Sequence, residues 1–341
     1  MSKTDSIGKT DSTVADSIEK FERATAQEKE AFIPQHKSVS YWQDAMRRLK
    51  KNYVALVSFG IIIFLIVTAV FGPFFIPFSY DTQTRGSENL PPFSPEHFLG
   101  TDTHGRDMLV RMMYGTRISV VIGIAAAVLT LVIGVIYGSI AGYAGGKIDT
   151  IMMRIVDIIY SVPDVLVVLL LAVTLKPMLT GYADMHQREF LGHLIIALGP
   201  SIIAIFMAFA MLYWTTMARI IRGQVMQLKN QEYVTAAIAL GANHARIIGK
   251  HLLPNCIGSI VAATCLQIPI AIFLESFLSF LGLGVNAPMT SLGSLASDAL
   301  SGMYTYPHRL VIPAAVLSLL ILSFNLFGDG LRDALDPGMK K

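Results

Sequence analysis

Six apolar segments, each long enough to cross a lipid bilayer, constrain this chain more than any other feature. A transmembrane helix needs roughly 20 mostly apolar residues, and a helix pairs its own backbone polar groups where water is absent. The sequence therefore predicts an all-α membrane protein with six transmembrane helices, at residues 53–79, 118–146, 151–175, 194–218, 254–281 and 310–328.

The composition supports this class and argues against others. Hydrophobic residues make up 53% of the 341 residues and charged residues only 15%, whereas soluble domains carry about 25% charged residues. The net charge is +3 and no basic face is interleaved with aromatic residues, so nucleic-acid binding is not expected. Cys256 and Cys265 have neither redox nor zinc spacing and are expected to be reduced. The first apolar run begins at Tyr53 and is too long for a cleavable signal.

Both ends of the chain are predicted to be polar tails. Residues 1–39 contain too few apolar side chains to form a core, and we expect a disordered tail. Residues 40–52 have a helical apolar period of Trp42, Met46 and Leu49 beside basic side chains, which favours an amphipathic helix in the headgroup region. Alternatively, these residues are only a basic flank that orients the first span. Residues 331–341 are expected to form the C-terminal tail.

The distribution of lysine and arginine predicts the orientation. With a cytoplasmic N-terminus, 20 of the 27 basic residues lie inside, in keeping with the positive-inside rule. Both termini and the long polar loop, residues 219–254, are then cytoplasmic. The seven basic residues left outside are Arg85, Arg106, Arg111, Arg117, Lys176, Arg188 and Arg309.

Small and charged residues within the spans suggest how the helices pack. Gly134, Gly138, Gly142 and Gly146 recur every four residues, which favours close approach of another helix. Intramembrane carboxylates are costly and should face the bundle interior or water. For Asp157 we expect an ion pair with Arg154, three residues earlier. A structural role is favoured for Asp164, which follows Pro163, whereas Glu275 could equally line a pathway or form structural hydrogen bonds.

Motifs for catalysis or nucleotide binding fail on inspection. The glycine–lysine pairs at Gly8 and Gly146 lack the spacing of a phosphate-binding loop, and no HExxH pair is present. His97 and His104 lack a third ligand at metal spacing. We therefore expect neither an enzyme nor a bound metal or cofactor, and the energy for any work must come from elsewhere.

The polar segment at residues 232–255 is predicted to fold as helix, turn and helix along the membrane surface. Glu232 suits the positive end of a helix, and Gly241 suits its C-terminal end. Ala236, Ala237 and Gly241 are expected to leave a shallow surface on one side. A second short helix would return to the bilayer, with Pro254 in the first turn of the fifth span.

This segment resembles the coupling loop, or EAA loop, of ABC importer permease subunits. That signature has two alanines, a glycine four residues after the second, and Leu-Pro twelve residues further on, matched here by Ala236, Ala237, Gly241, Leu253 and Pro254. Two positions depart from the general pattern: Thr235 replaces the usual acid, with the carboxylate at Glu232, and His251 replaces an isoleucine.

Both departures match the oligopeptide/dipeptide branch of the family. Residues 98–107, 114–117, 160–164 and 278–284 are also similar to the C-type permease of that branch, and the resemblance covers residues 40–338. It implies a MetI-like permease fold over residues 53–330. The residues implied to contact the ATPase are Glu232, Tyr233, Ala236, Ala237, Gly241, Ala242, Arg246, Leu253 and Pro254. Candidates to line the translocation path are Glu275, Asp164 and Asn286.

The resemblance further implies a half-pore in the bacterial cytoplasmic membrane. The expected partners are a second, similar permease, two cytoplasmic ATPases that use ATP and Mg²⁺, and an extracytoplasmic binding protein. Oligopeptides are the first expectation for the substrate, with dipeptides, nickel chelates and glutathione as alternatives. An ion-coupled secondary transporter is the rival class, while a membrane enzyme has no catalytic constellation to support it.

Overall fold

The computed structural model describes residues 41–335, which are almost entirely helical and contain only two isolated β-bridges. Residues 1–40 and 336–341 lie outside the described residues, and with them the expected N-terminal tail and the end of the C-terminal tail. The chain divides into a unit that ends at Asp44, of which only residues 41–44 are described, and a second unit, Ala45–Lys341.

The helices follow one another along the described residues, and the longest break between them runs from Phe75 to Met108. The first seven are α1 Tyr41–Lys51, α2 Tyr53–Phe71, α3 Met108–Ala144, α4 Gly146–Ser161, α5 Asp164–Met185, α6 Phe190–Leu198 and α7 Pro200–Leu212. The others are α8 Trp214–Leu228, α9 Glu232–Ala239, α10 His244–Arg246, α11 Ile257–Phe280, α12 Leu292–Ala299 and α13 His308–Leu335. Short 3₁₀ turns extend α2 through Gly72–Phe75 and α12 through Leu300–Gly302.

Six helical stretches are long and apolar enough to cross a membrane, which confirms the predicted all-α fold with six transmembrane helices. They are Tyr53–Phe75, Met108–Ala144, Asp164–Met185, Pro200–Leu228, His244–Phe280 and His308–Leu335. The last of these continues well beyond its predicted end at residue 328.

The third span begins later than the sequence predicted. Val162 has an extended backbone, with ψ at 137°, and Pro163 follows it without an N–H to continue the helix. A proline disfavours the helical conformation of the residue before it, so α4 ends at Ser161 and a separate span starts at Asp164. The prediction of one span over residues 151–175 was therefore wrong, and Asp157 belongs to α4.

The same span also ends later than predicted. Helix α5 continues to Met185, so Lys176 lies within the membrane-length helix rather than in an outer loop. Pro177 lies inside α5 without ending the helix. The uninterrupted apolar run stops at Leu175, before Lys176 and Pro177. A search for apolar sequence alone therefore placed the end of this span too early.

The amphipathic helix predicted near the N-terminus is present as α1. Its exposed residues include Trp42 and Met46, each 53% exposed, and its last turn is basic. Asn52 separates α1 from the first span and caps it, because its side-chain oxygen accepts a hydrogen bond from the Ala55 N–H at 3.1 Å. That α1 lies in the lipid headgroups stays a prediction.

The glycine ridge of α3 packs against α8. A Cβ atom at Gly138 would lie 3.0 Å from the Ala218 Cα, and one at Gly142 would lie 2.8 Å from the Arg222 carbonyl oxygen. The ridge therefore allows two helix backbones to touch, as predicted from the four-residue spacing. Gly146, the fourth member, instead begins α4, and a Cβ atom there would have no neighbouring atom within 4 Å.

The loop between α2 and α3 is held by buried polar groups. Asp102 accepts from the Arg106 Nε at 2.7 Å and from Arg111, and Arg111 also reaches Asp298 at 3.2 Å. Burial alone would raise the pKa of Asp102, but Arg111 and the backbone N–H groups of Arg106 and His104 outweigh it and hold that pKa below its ordinary value. This network fixes the loop on the first turn of α3.

Candidate functional site

Helix α9, Glu232–Ala239, is bounded as the sequence predicted. Glu232 is the first helical residue, next to the positive end of the helix. Gly241 adopts a φ of +82°, its N–H bonds to the Ile238 carbonyl at 2.9 Å, and the Ala242 N–H bonds to the Ala237 carbonyl at 3.0 Å. This pair of bonds is a Schellman motif, in which a left-handed glycine ends the helix.

One face of α9 is anchored to the rest of the chain. Val234 is fully buried in a cluster with Ile221 of α8 and Ile247, and Ala237 on the same face is only 8% exposed. The burial of Val234 corresponds to a stabilisation of about 1.5–3 kcal/mol relative to an exposed valine. Helix α9 is therefore held at the junction of α8 with the segment that leads into α11.

The other face of α9 carries apolar side chains that point outward. Tyr233 is 40% exposed, Ile238 52% and Leu240 89%. Ala236 also lies on the exposed side, whereas Ala237 faces the protein. The prediction that Ala236, Ala237 and Gly241 share one surface was therefore wrong, because consecutive residues of a helix point about 100° apart. Sequence reasoning missed Ile238 and Leu240 as surface residues.

The return to the membrane is a short, irregular helix. Asn243 caps α10 through its side-chain oxygen, which accepts from the Arg246 N–H at 2.8 Å. A π-helical turn, Ile247–Leu252, and a 3₁₀ turn, Leu253–Cys256, then lead into α11. Pro254 lies in this 3₁₀ turn. The prediction that it lies in the first turn of the fifth span was wrong, because the helical stretch that forms this span already begins at His244. Ile247 and Leu252 are buried, so this segment is seated as firmly as α9.

Tyr233 links α9 to this returning segment. The Asn255 amide donates to the Tyr233 hydroxyl at 3.4 Å and to the His251 carbonyl at 2.7 Å. Burial raises the pKa of Tyr233 above its ordinary value, so its hydroxyl stays protonated. The two arms of residues 232–255 are thus joined to each other as well as to the bundle.

Ion pairs and hydrogen bonds connect α8, which leads into α9, to α3 and α4. Arg222 forms two bonds with the Asp149 carboxylate, 2.5 and 2.6 Å long, and this contact lowers the pKa of Asp149. The Lys229 ammonium donates to the Gly142 carbonyl at 2.9 Å, at the end of α3. These contacts make the end of α8 a fixed support for α9.

Asp157 is paired with a residue that the sequence did not indicate. Its carboxylate lies 2.9 Å from the Arg219 guanidinium of α8, which also stacks over the Tyr160 ring at 4.2 Å from the ring centre. The predicted pair with Arg154 was wrong, because packing brings together α4 and α8, which are 62 residues apart at this point.

The three residues considered as lining candidates have different surroundings. Asp164 is exposed at the start of α5 and accepts a hydrogen bond from the Tyr213 hydroxyl at 2.8 Å. Asn286 is exposed in the loop after α11, 3.4 Å from the Ser201 hydroxyl. Glu275 is 0% exposed.

Glu275 lies in a cluster of serines. It accepts hydrogen bonds from Ser119 and Ser279 at 2.7 Å and from Ser276 at 3.2 Å. Ser119 belongs to α3, so the cluster joins α3 to α11, and the backbone N–H of Leu292 at the start of α12 approaches Ser119 at 3.5 Å. Of the two roles left open by the sequence, the structural hydrogen bonding of Glu275 is the arrangement observed.

Other polar groups gather in the α2–α3 loop. His97 bonds to Asp107 at 2.8 Å, and both side chains are buried. Residues 41–335 contain no group of three or more side chains placed to hold a metal ion. The Asp102–Arg111 network was not foreseen, although residues 98–107 had been singled out as a motif.

Two sequence profiles match the chain. One, described as binding-protein-dependent transport system inner membrane component, matches residues 134–341, and another, described as the N-terminal TM domain of oligopeptide transport permease C, matches residues 40–92. Together they include α1, α2, part of α3 and every later helix.

Several characterised relatives are similar over most of their length. The oligopeptide transport system permease protein OppC of Bacillus subtilis is 46% identical over 94% of this chain and 97% of its own. The dipeptide transport system permease protein DppC of the same organism is also 46% identical, over 92% and 91%. The OppC protein of Escherichia coli K12 is 39% identical over 87% and 91%.

Proposed function

Because this chain belongs to the family of binding-protein-dependent transport system inner membrane components, we propose that it is the C-type permease of an ATP-driven peptide importer. It is a transport permease subunit, as its relatives are. Oligopeptides are the first choice of substrate and dipeptides the second, because relatives named for either cargo are 46% identical to it.

The proposed complex contains three further kinds of protein besides this chain. A second, similar permease completes the pore, two ATPases hydrolyse ATP with Mg²⁺ below it, and an extracytoplasmic binding protein delivers the substrate. This chain binds no cofactor and catalyses no reaction in this proposal. Both termini and α9 lie in the cytoplasm, in keeping with the basic residues of α1 and residues 219–254.

The observation that carries the proposal is the two-sided character of α9. Its buried face, Val234 and Ala237, is fixed to α8 and the start of α11, while Tyr233, Ile238 and Leu240 remain exposed. A soluble ATPase that covers the exposed apolar face would gain the free energy of burying it. Movement of the ATPase would then displace α8 and α11 together and rock the bundle between outward-open and inward-open states.

Asp164 and Asn286 are proposed to line the path, because both are polar, exposed and within or next to the spans. Glu275 is assigned to the scaffold instead. The ion-coupled alternative has little support, since Asp164 and Glu275, the two carboxylates that suggested it, bond to hydroxyl groups and not to each other.

A pair of substitutions at Gly241 tests this proposal. Asparagine and aspartate have nearly the same size, both tolerate a positive φ, and no atom lies within 4 Å of a Cβ placed at Gly241. The two variants therefore differ mainly in charge, and the small effect of that charge on the C-terminal end of α9 itself, about 0.3–1 kcal/mol, is measured separately by thermal unfolding of both variants. In the reconstituted complex, Gly241→Asp is expected to reduce ATP-driven uptake about tenfold, equivalent to ~1.4 kcal/mol, and Gly241→Asn much less.

Uptake and substrate-stimulated ATP hydrolysis are measured together in this experiment. Normal values of both for Gly241→Asp would rule out docking at α9. Uptake by the wild-type complex that survives ATP depletion but stops when ion gradients collapse would instead support ion-coupled transport.

A further inference from the structure

Lys176 occupies a position where a free charge is costly. Helix α5 has 22 residues, and a span needs roughly 20, so any membrane-length stretch of α5 includes Lys176. It lies nine residues before Met185, the last residue of α5, which places its Cα about 13 Å from that end. Ionisable residues at such depth face a bundle interior or water and are associated with substrate pathways.

The helix turns Lys176 away from its most exposed apolar side. Val168 and Ala172, 0% and 1% exposed, form the buried stripe of α5 in a core with Leu278 of α11, and Lys176 continues this stripe four residues later. The exposed Leu170, 66% exposed, points about 120° away from Lys176 around the helix axis. Lys176 itself is half-buried at the edge of the core.

The ammonium group has one weak contact within the described residues. Its Nζ lies 3.4 Å from the Gly282 carbonyl oxygen, and no carboxylate of residues 41–335 is within ion-pair distance of it. An ammonium group has three N–H donors, so at least two remain for another acceptor. Gly282 belongs to the loop that also carries the exposed Asn286, a proposed path residue.

We propose that Lys176 is a specificity-determining residue of the path, whose ammonium group binds the C-terminal carboxylate of the transported peptide. The inference rests on the proposed function, since it requires a path that carries peptides. A charge-assisted hydrogen bond to a carboxylate is about twice as strong as a neutral one, so a passing carboxylate displaces the Gly282 carbonyl. Because that carbonyl belongs to the same chain, the ammonium group returns to it when the path is empty.

The test uses the complete complex, with its second permease, ATPases and binding protein, in proteoliposomes. One peptide is compared with its C-terminal amide, each supplied at a concentration that saturates the binding protein in a separate binding measurement. Lys176→Met is expected to reduce the initial rate of ATP-driven uptake at least tenfold for the free peptide and less than twofold for the amide. Lys176→Arg, which keeps the charge, should restore the free-peptide rate to within about threefold of wild type.

Several outcomes would overturn the assignment. Equal losses for both peptides, or loss of the second permease from the purified Lys176→Met complex, would assign Lys176 to packing or to an ion pair with that permease. Unchanged uptake of both peptides would remove any role in transport. Absence of ATP-driven uptake by the wild-type complex would overturn the proposed function and the Lys176 assignment with it.

A crosslinking experiment gives a readout that does not depend on rates. A second complex keeps Lys176 and carries Thr180→Cys, at an exposed position about one helical turn further along α5. During turnover, a peptide with a thiol-reactive group on the side chain of its C-terminal residue should crosslink at least fivefold more than one labelled on its N-terminal residue. The same cysteine at Leu166, on an exposed face of α5, serves as the position control. Equal or reversed labelling at position 180 would contradict binding of the peptide carboxylate at Lys176.

Discussion

The surroundings of Glu275 and the exposed face of α9 differ in where their partners lie. Glu275 is fully buried, and its carboxylate oxygens are bonded to Ser119, Ser276 and Ser279 of the same chain. On α9, Ile238 and Leu240 are 52% and 89% exposed although both are apolar. The first region is complete within the chain, whereas the second gains stability only when another molecule covers it.

This difference separates scaffold from interface in a subunit that works within a complex. Residues 278–284 were singled out as a family motif, and Ser279 within them serves Glu275 and also accepts from the Val285 N–H at 3.0 Å. That part of the motif is accounted for by internal hydrogen bonds. The motif around Ala236 and Gly241 is accounted for only in part, by the anchoring of Val234 and the helix end.

Replacement of Glu275 by leucine should give the largest effect. It removes the acceptor from the hydroxyls of Ser119, Ser276 and Ser279 in the core, and each buried donor left unsatisfied costs roughly 1–3 kcal/mol. The thermal unfolding midpoint of the purified complex should fall steeply, and less for Glu275→Gln, which keeps one carbonyl acceptor. An unchanged unfolding midpoint combined with lost uptake would show that Glu275 lines the path. The distinction between Glu275 as scaffold and α9 as interface would then be wrong.

Leu252 and Leu240 form a matched pair, one buried in the scaffold and one on the exposed face of α9. Leu252 is 0% exposed and Leu240 is 89% exposed, so Leu252→Ala should reduce the free energy of unfolding by about 3 kcal/mol. Leu240→Ala should change it by less than about 0.5 kcal/mol and yet reduce ATP-driven uptake about tenfold, as expected for an interface residue worth ~1.4 kcal/mol. The measurements are thermal unfolding and uptake for both variants. Equal uptake by Leu240→Ala and wild type would leave α9 without its proposed partner.

The ion pair between α4 and α8 should have the smallest effect. Asp149→Asn weakens a partly exposed pair, and we expect a loss of about 1 kcal/mol at most. Arg222 lowers the pKa of Asp149 from its ordinary 3.8, so the contribution is present above that value and disappears as pH falls through the lowered pKa. The difference in unfolding midpoint between wild type and Asp149→Asn should therefore be constant near neutral pH and shrink only in acid. A difference that grows in acid would contradict the assigned sign.

The features that the sequence predicted correctly depend on residues close together in the chain. The length of the apolar segments predicted six spans, and the apolar period predicted the helix at residues 41–51. The preference of glycine for a positive φ predicted the end of α9. All three features are present. Asp157 was given the wrong partner because Arg219 reaches it only through packing of α4 on α8. The inward face of α9 was likewise decided by packing, because Val234 lies in a cluster with Ile221 of α8 and Ile260 of α11, and no local pattern specifies where those helices lie.

The bounds predicted for the third span were wrong because proline has opposite effects at its two ends. Before Pro163 the backbone leaves the helix, and a span thought to start at residue 151 starts at Asp164. At Pro177 the helix continues. Lys176 therefore lies within the span, a position that the count of basic residues had assigned to an outer loop. Proline removes a backbone hydrogen-bond donor, but the surrounding helices determine whether its own helix bends, ends or continues.

The backbone contact at Gly138 also limits which motions the bundle can make. A Cβ there would lie 3.0 Å from the Ala218 Cα and 3.1 Å from its carbonyl carbon, so α3 and α8 interlock and cannot slide past each other without separating. Helix α3 has 37 residues, a rod of about 55 Å, with Arg111 of the loop network in its first turn. A tilt imposed on α8 beside α9 must therefore appear as a displacement at the opposite end of α3, where the α2–α3 loop rests.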